Sequence, residues 1–289
     1  MDVLLEGADR YFLTPYIYPK SWSEDWWVRQ SLSIFVLITI GAYILYFLVS
    51  MFSYYIMYDR RLLQHKRFLP DQIRREIFVA CASLPFMALP TTFLFVAEVR
   101  GHSQLYNNIE DYGWKYLVFS FFLFLFFTDM CIYWIHRGLH HPLIYKHIHK
   151  THHLWIVPTP FASYAFHPLD GFLQSSPYHI FVFIFPMYKW LYMTLFVLVN
   201  FWTTSIHDAN YKVPDTLRGV INCSAHHTDH HLFFNYNYGQ FFTLWDKIGG
   251  SHRYPSTFEG NGPLDQIIKE ISVRPTPGAP TNDNHDKIE

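Results

Sequence analysis

Between Gln30 and Tyr58 the chain carries no charged residue. A run of that length restricts the outcome, because a helix crossing the hydrocarbon core of a bilayer needs about 20 apolar residues. A buried helix of a soluble protein rarely stays uncharged for so long. Two more runs follow. Ile77–Ala97 is free of charge and holds Pro85 and Pro90, which membrane helices tolerate. Tyr116–Ile135 is interrupted only by Asp129. Membrane spans are therefore expected at about 31–58, 77–97 and 116–135. Gly171–Tyr188 and Trp190–Ile206, split by Lys189, are each slightly short and are read as a hairpin over 171–206, fully or partly inserted. Trp22, Trp26 and Trp27 stand where an aromatic belt would meet the first span.

Charged residues make up 16% of the chain, against about 25% in soluble domains. The net charge of −1 implies no nucleic-acid partner. Cys81, Cys131 and Cys223 lie far apart without CxxC spacing, which excludes a cysteine zinc site and a disulfide framework. The first residues lack a basic start followed by an apolar core, so no cleavable signal is expected.

Loop charge orients the spans. Asp59–Glu76 holds Arg60, Arg61, Lys66, Arg67, Arg74 and Arg75, whereas Glu98–Trp114 leans acidic. By the positive-inside bias the basic loop is cytoplasmic, so the third span returns to the cytoplasm just as His136 appears. The expected fold is all-α: a polytopic membrane helical bundle with a cytoplasmic histidine-rich helical cap. Residues 1–271 form one membrane domain, and 272–289 form a disordered tail.

Seven of the 18 histidines fall in His136–His153 (HRGLHHPLIYKHIHKTHH), and four more in HHTDHH at His226–His231. At about 100° per residue, positions i, i+3 and i+4 of a helix share an arc of about 100°. His149, His152 and His153 form one such triplet, and His227, His230 and His231 another. Each is expected to aim its imidazoles at one small volume. His136 and His140 share a face. His141 lies about 140° from His136 on an ideal helix, but Pro142 disfavours helix there, so His141 stays a candidate. His226, which opens the last box, is a further candidate. So are His207 and His167, which flank the hairpin; His207 leaves the apolar run on the box side. His147 lies off its box's face. Imidazole suits iron, zinc, copper and nickel. So many convergent histidines exceed one tetrahedral site, and two ions are the simplest account. Asp129, two helical turns before His136, is a candidate acceptor for a ligand N–H, with Asp208 and Asp229 behind it. Asn222-Cys-Ser is a formal glycosylation sequon, read as unused on the cytoplasmic side.

HRGLHH, HKTHH and HHTDHH, in this order around an apolar hairpin, resemble the fatty acid hydroxylase superfamily of membrane oxygenases. The flanking stretches FTDMCIYWIHRGLHHPLIYKHIHKTHH, TPFASYAFHPLDGFLQSSPYHIF and SAHHTDHHLFFNYNYGQFFTLWDKIGGS are similar to its sterol C5-desaturases. The resemblance covers nearly the whole chain except the tail. It implies an O2-dependent Δ7-sterol 5,6-desaturase of the endoplasmic reticulum, taking lathosterol from the bilayer to 7-dehydrocholesterol in cholesterol synthesis. It also implies two histidine-bound iron ions, which zinc can replace in isolated protein, and electrons from cytochrome b5 and its NAD(P)H-dependent reductase. His136, His140, His149, His152, His153, His227, His230 and His231 match the family's metal boxes; His167 and His207 match less secure positions. Phe119–Phe127 is expected either to line the sterol's path or to pack against lipid, and the basic loop either to help dock cytochrome b5 or only to set topology and touch anionic lipid. Alternatives are a C4-methylsterol oxidase, a sphingolipid hydroxylase or, from another class, a histidine-rich metal transporter.

Overall fold

The computed structural model describes residues 1–208 and 213–273. Of the expected tail, residues 274–289 lie outside the described residues, and 272–273 belong to the last helix. A short helix α1 (Asp2–Ala8) runs into a π-helical stretch, Asp9–Ile17. Three helices follow that are long and apolar enough to cross a membrane: α2 (Trp27–Ile56), α3 (Gln72–Val99) and α4 (Gly113–Leu139). A single turn, α5 (Pro142–Tyr145), opens the histidine-rich region. The hairpin is α6 (Pro168–Ile184) and α7 (Lys189–Ser205). α8 (Ser224–Phe233), α9 (Leu244–Ile248) and α10 (Pro263–Val273) complete the cap. The protein is thus a polytopic helical bundle.

The bundle is inside-out relative to a soluble protein. Large apolar side chains such as Leu48, Phe78 and Phe93 face outward, while Ser33, Ser50, Thr92, Ser120 and Thr128 are buried between helices. That distribution suits lipid, where small and hydroxylated residues let helices approach and apolar ones meet the acyl chains. Phe119, Phe122 and Phe126 share the outward face of α4, and Phe124 packs inward on Phe181.

The helices overrun the charge boundaries. α3 starts at Gln72 rather than Ile77 and takes Glu76 into its buried face. α4 continues past Ile135 to Leu139 and carries His136 on the helix itself. Charge marks where a side chain prefers water, but the backbone keeps closing its i→i−4 bonds, and a buried carboxylate is tolerated once its oxygens are paired. Glu76 accepts from Gln72 Nε2 at 2.7 Å, from Thr159 N at 3.3 Å and from the Thr159 hydroxyl. It thereby ties α3 to the segment between the second box and the hairpin. Tyr46 and Ser50 of α2 donate to the carbonyls of Phe161 and Pro160 in that same segment.

Contacts at the hairpin tip fix its reach. β1 (Leu105–Tyr106), just after α3, pairs in parallel with β2 (Met187–Tyr188), between α6 and α7. Lys189 Nζ also meets Asp2 at 2.7 Å. The hairpin tip therefore sits with the N-terminus, at the end of the bundle opposite the histidines. Each arm has 17 residues, about 25 Å of helix, so two helices too short by apolar length still traverse the bundle.

Replacing Glu76 by Ala leaves the Thr159 N–H and hydroxyl buried without an acceptor, while Gln72 Nε2 keeps the Val157 carbonyl at 2.9 Å. A loss of about 1–3 kcal/mol per orphaned group is expected, read as a lower thermal midpoint in detergent with membrane insertion retained.

Candidate metal centre

Among the described residues, nine imidazoles converge at the end of the bundle away from the hairpin tip, in two groups. His136, His140, His149, His153 and His230 form the first; His152, His207, His227 and His231 form the second. Within each, the ligand nitrogens lie within 4.8 Å of one another. All nine are buried except His140, which is half-buried at the end of α4.

Each HxxHH triplet divides between the two groups. His149 and His153 go to the first and His152 to the second; His227 and His231 go to the second and His230 to the first. The expectation that a triplet serves one volume is corrected here. Residues i and i+4 differ by about 40° and stack, whereas i+3 lies about 100° from i+4. A helix seated between two sites thus feeds both. The third box does this on α8. The second box lies on turns closing in a 3-10 stretch at His152–Leu154, not on an α-helix.

Several imidazoles are oriented through their outer nitrogen. His136 Nδ1 donates to Tyr238 O at 2.9 Å, His149 Nδ1 to Asp170 Oδ2 at 2.7 Å, His207 Nδ1 to Thr203 O at 2.6 Å and His230 Nδ1 to Tyr236 O at 2.7 Å. With the proton on Nδ1, each presents a bare Nε2 lone pair inward. His136 Nε2 and His149 Nε2 then face each other at 3.1 Å with no proton between them. The pairs His153–His140, His153–His149, His227–His207 and His231–His227 stand 3.0–3.1 Å apart through Nε2 as well. Facing lone pairs repel unless a cation lies between them. With a metal–nitrogen bond of about 2.1 Å, ligands about 90–110° apart on one ion are separated by about 3.0–3.4 Å, matching these spacings. The residues therefore fit a metal in each group, with a donor set made of nitrogen alone. Burial drives the pKa values of His152, His153, His227, His230 and His231 well below the ordinary imidazole value, and their neighbours' charges push the same way. His207 is pushed down to about 4 by burial. Neutral imidazole is the ligating form.

The other candidates stand elsewhere. His141 and His167 are exposed; each caps the helix that follows it, accepting from Leu143 N and Leu169 N. His226 is buried but turned toward Cys223 and His252. Asp129 does not reach an imidazole. It accepts from the backbone N–H groups of Gln240, Phe241 and Phe242 at 3.0, 2.6 and 3.3 Å. With Asp246, which accepts from Tyr238 N and Gly239 N at 2.8 Å each, it holds the loop whose Tyr238 carbonyl orients His136. That loop is tight: a Cβ on Gly239 would lie 2.6 Å from Phe242 O. Asp229 accepts from Ser256 N at 3.0 Å and Arg253 Nε at 3.2 Å, and Asp208 is buried near the second group. Asn222 is buried and donates to Gly239 O, which closes the sequon to modification in the fold. The carboxylate that does touch a ligand, Asp170, was not singled out from the sequence. Its one signal is its place three residues after His167, in the first turn of α6.

A cavity of about 410 Å³ opens from the histidines into the bundle. His136, His152, His207 and His227 close one end, and Met1 and Leu4 the other. Its walls come from α2, α3, α6 and α7 and are mainly apolar; none of Phe119–Phe127 lines it. It lies within the size range of small-molecule sites.

Fold and centre together define a membrane-embedded protein with two histidine groups of metal-ligand geometry, facing an apolar cavity. Residues 121–251 match the fatty acid hydroxylase family. The chain is 59% identical over 269 residues to the lathosterol oxidase of Rattus norvegicus, covering 92% of this chain and 90% of that protein. It is 56% identical over 274 residues to the lathosterol oxidase of Homo sapiens, covering 94% and 91%. With the Delta(7)-sterol 5(6)-desaturase of Leptosphaeria maculans it shares 48% over 257 residues, covering 87% and 71%. No solved structure is a significant match. The chain belongs to the fatty acid hydroxylase family, whose members are metal-dependent oxygenases.

Asp170→Asn, which keeps size but weakens the acceptor for His149, is expected to lower metal retention about 10–100-fold. Metal content after dialysis checks this, with His141→Ala and His167→Ala expected to match the unmodified protein.

Proposed function

We propose that this protein is a Δ7-sterol C5(6)-desaturase that introduces the 5,6 double bond into lathosterol to give 7-dehydrocholesterol. One observation carries the reading: two all-nitrogen histidine groups close the end of an apolar cavity large enough for a lipid, in a chain 56–59% identical to lathosterol oxidases. The reaction removes one hydrogen each from C5 and C6. O2 takes up these two hydrogens together with two electrons and two protons, and two waters leave. Two iron ions held by the histidine groups would supply the O2-derived oxidant that an unactivated C–H bond requires.

The chain's own groups do the rest. The Tyr236, Tyr238 and Thr203 carbonyls and the Asp170 carboxylate fix imidazole orientation, so that the nitrogens are set before substrate arrives. The apolar walls seat the sterol and keep bulk water from the reacting carbons. The reading places the protein in the endoplasmic reticulum membrane with the histidines toward the cytosol. Arg60, Arg61, Lys66 and Arg67 before α3, with Arg74 and Arg75 on its first turn, are all exposed at the histidine end and support that orientation. The same basic surface suits an acidic electron donor such as cytochrome b5, itself reduced by its NAD(P)H-dependent reductase. In isolated protein the nitrogen donors can also take zinc.

Microsomes carrying the protein, given lathosterol, NADH and O2, are expected to form 7-dehydrocholesterol. A hydroxylated sterol without the new double bond would move the reading to a C4-methylsterol oxidase or sphingolipid hydroxylase type of activity. Metal uptake without sterol turnover would move it to transport. His152→Ala is expected to abolish turnover while expression and membrane insertion stay near normal; substantial residual activity would remove His152 from the centre.

A further inference from the structure

The cavity wall is not uniformly apolar, and its polar groups concentrate at the histidine end. Gln240 lies there, two residues beyond Tyr238, whose carbonyl orients His136 of the first group. Its side-chain Nε2 donates to Thr203 Oγ1 at 3.0 Å, and the Thr203 carbonyl orients His207 of the second group. Gln240 thus straddles the two groups on the cavity side. Its backbone is pinned separately by Asp129, so the side chain is not needed to hold the loop. Its Oε1 takes no partner among the described residues and remains as a hydrogen-bond acceptor on the cavity wall.

We propose that Gln240, held by Thr203, accepts a hydrogen bond from the substrate's ring hydroxyl. The substrate is then seated with its hydroxyl-bearing ring against the histidines and its apolar tail directed toward Met1 and Leu4. The inference rests on the sterol reading above. In such a substrate the hydroxyl-bearing carbon C3 is separated from the reacting C5 by a single carbon. When C5 meets the centre, the hydroxyl must lie within a few ångströms of it.

That constraint sets aside the polar groups farther along the cavity. One is His179, whose Nδ1 meets the Tyr192 hydroxyl at 3.3 Å, with Tyr178 one residue before it. Nearer the centre, Gln174 Nε2 is committed to Asp170 Oδ1 at 2.7 Å, and Asn200 Oδ1 accepts from the Tyr164 hydroxyl. His179 lies nine residues along α6 from Asp170, the residue that touches His149. That is about 13 Å of helix rise, far beyond the span from C5 to the hydroxyl. His179 and Tyr192 face the far rings or tail instead. Beyond them the wall is apolar, with Leu4, Leu37, Ile38 and Phe95. A hydroxyl directed that way would be buried unpaired, a costly arrangement.

The test compares kcat/KM for lathosterol and for its 3-deoxy analogue in membranes carrying Gln240→Leu, Thr203→Val or the unmodified chain. The unmodified protein is expected to favour the hydroxylated substrate about tenfold, the worth of one net hydrogen bond to a partly buried group. In Gln240→Leu that ratio is expected to fall to near one. In Thr203→Val, whose backbone carbonyl still serves His207, the ratio is expected to fall part of the way. Damage to the fold or to the centre lowers both substrates together and leaves the ratio alone, so the ratio reports hydroxyl recognition specifically. A ratio that stays at the unmodified value in either folded variant overturns the proposal; if Gln240→Leu is not recovered folded, Thr203→Val decides it. Failure of the unmodified protein to desaturate lathosterol is a different result and removes the sterol reading itself.

Discussion

The structure depends on holding bare imidazole nitrogens face to face. His136 and His149 point unprotonated Nε2 atoms at each other across 3.1 Å, and the same spacing recurs through both groups. Such an arrangement is repulsive by itself and becomes stable around a cation. Much of the cap serves to impose it. The Tyr238, Tyr236 and Thr203 carbonyls and the Asp170 carboxylate take the outer protons. Asp129 and Asp246 hold the loop that supplies one of those carbonyls. A carboxylate inside a membrane helix, which in sequence looks like a direct partner of a ligand, acts one step further out, through three backbone N–H groups.

The hairpin gains its purpose from the same requirement. The second and third boxes must meet at one end of the bundle, so the chain between them must leave that end and return. α6 and α7 do so while reaching the opposite end, where β2 pairs with β1 and Lys189 meets Asp2. In crossing, they wall the apolar cavity. One structural element thus brings the halves of the centre together and builds the chamber that the centre faces. Glu76, Tyr46 and Ser50 fasten the segment that joins the second box to the hairpin onto α2 and α3. The membrane helices and the cap are therefore one mechanical unit.

The division of each HxxHH triplet between two groups gives the centre its two-site character. Neither group is assembled from one box. The first takes residues from α4, from the turns after α5 and from α8; the second takes residues from those turns, from α8 and from the end of α7. Each site exists only when distant parts of the chain are packed, so binding at either stabilises the fold that creates it. Gln240 and Thr203, hydrogen-bonded to each other, both stand on the wall of the cavity that the groups close.

The sequence by itself determined the membrane class, the spans, the return of the hairpin and the histidines with ligand spacing. These follow from local quantities: runs without charge, loop charge, and the angle between residues on one helix. Eight box histidines could be named as ligand candidates because imidazole at i and i+4, or at i, i+3 and i+4, is itself the signal; His207 was a candidate only from its place at the end of the hairpin. Which imidazole joins which group was decided by tertiary packing, since that depends on how α8 is rotated against the turn at His149–His153. Packing also decided that His141, His167 and His226 stand aside, because each has a local capping partner competing for its ring. It likewise put Asp170 on His149 and gave Asp129 to the loop at 240–242. The carbonyls that orient the rings carry no sequence signal at all, since every residue has one. Their role arises only when the fold brings them beside an imidazole with a proton to donate.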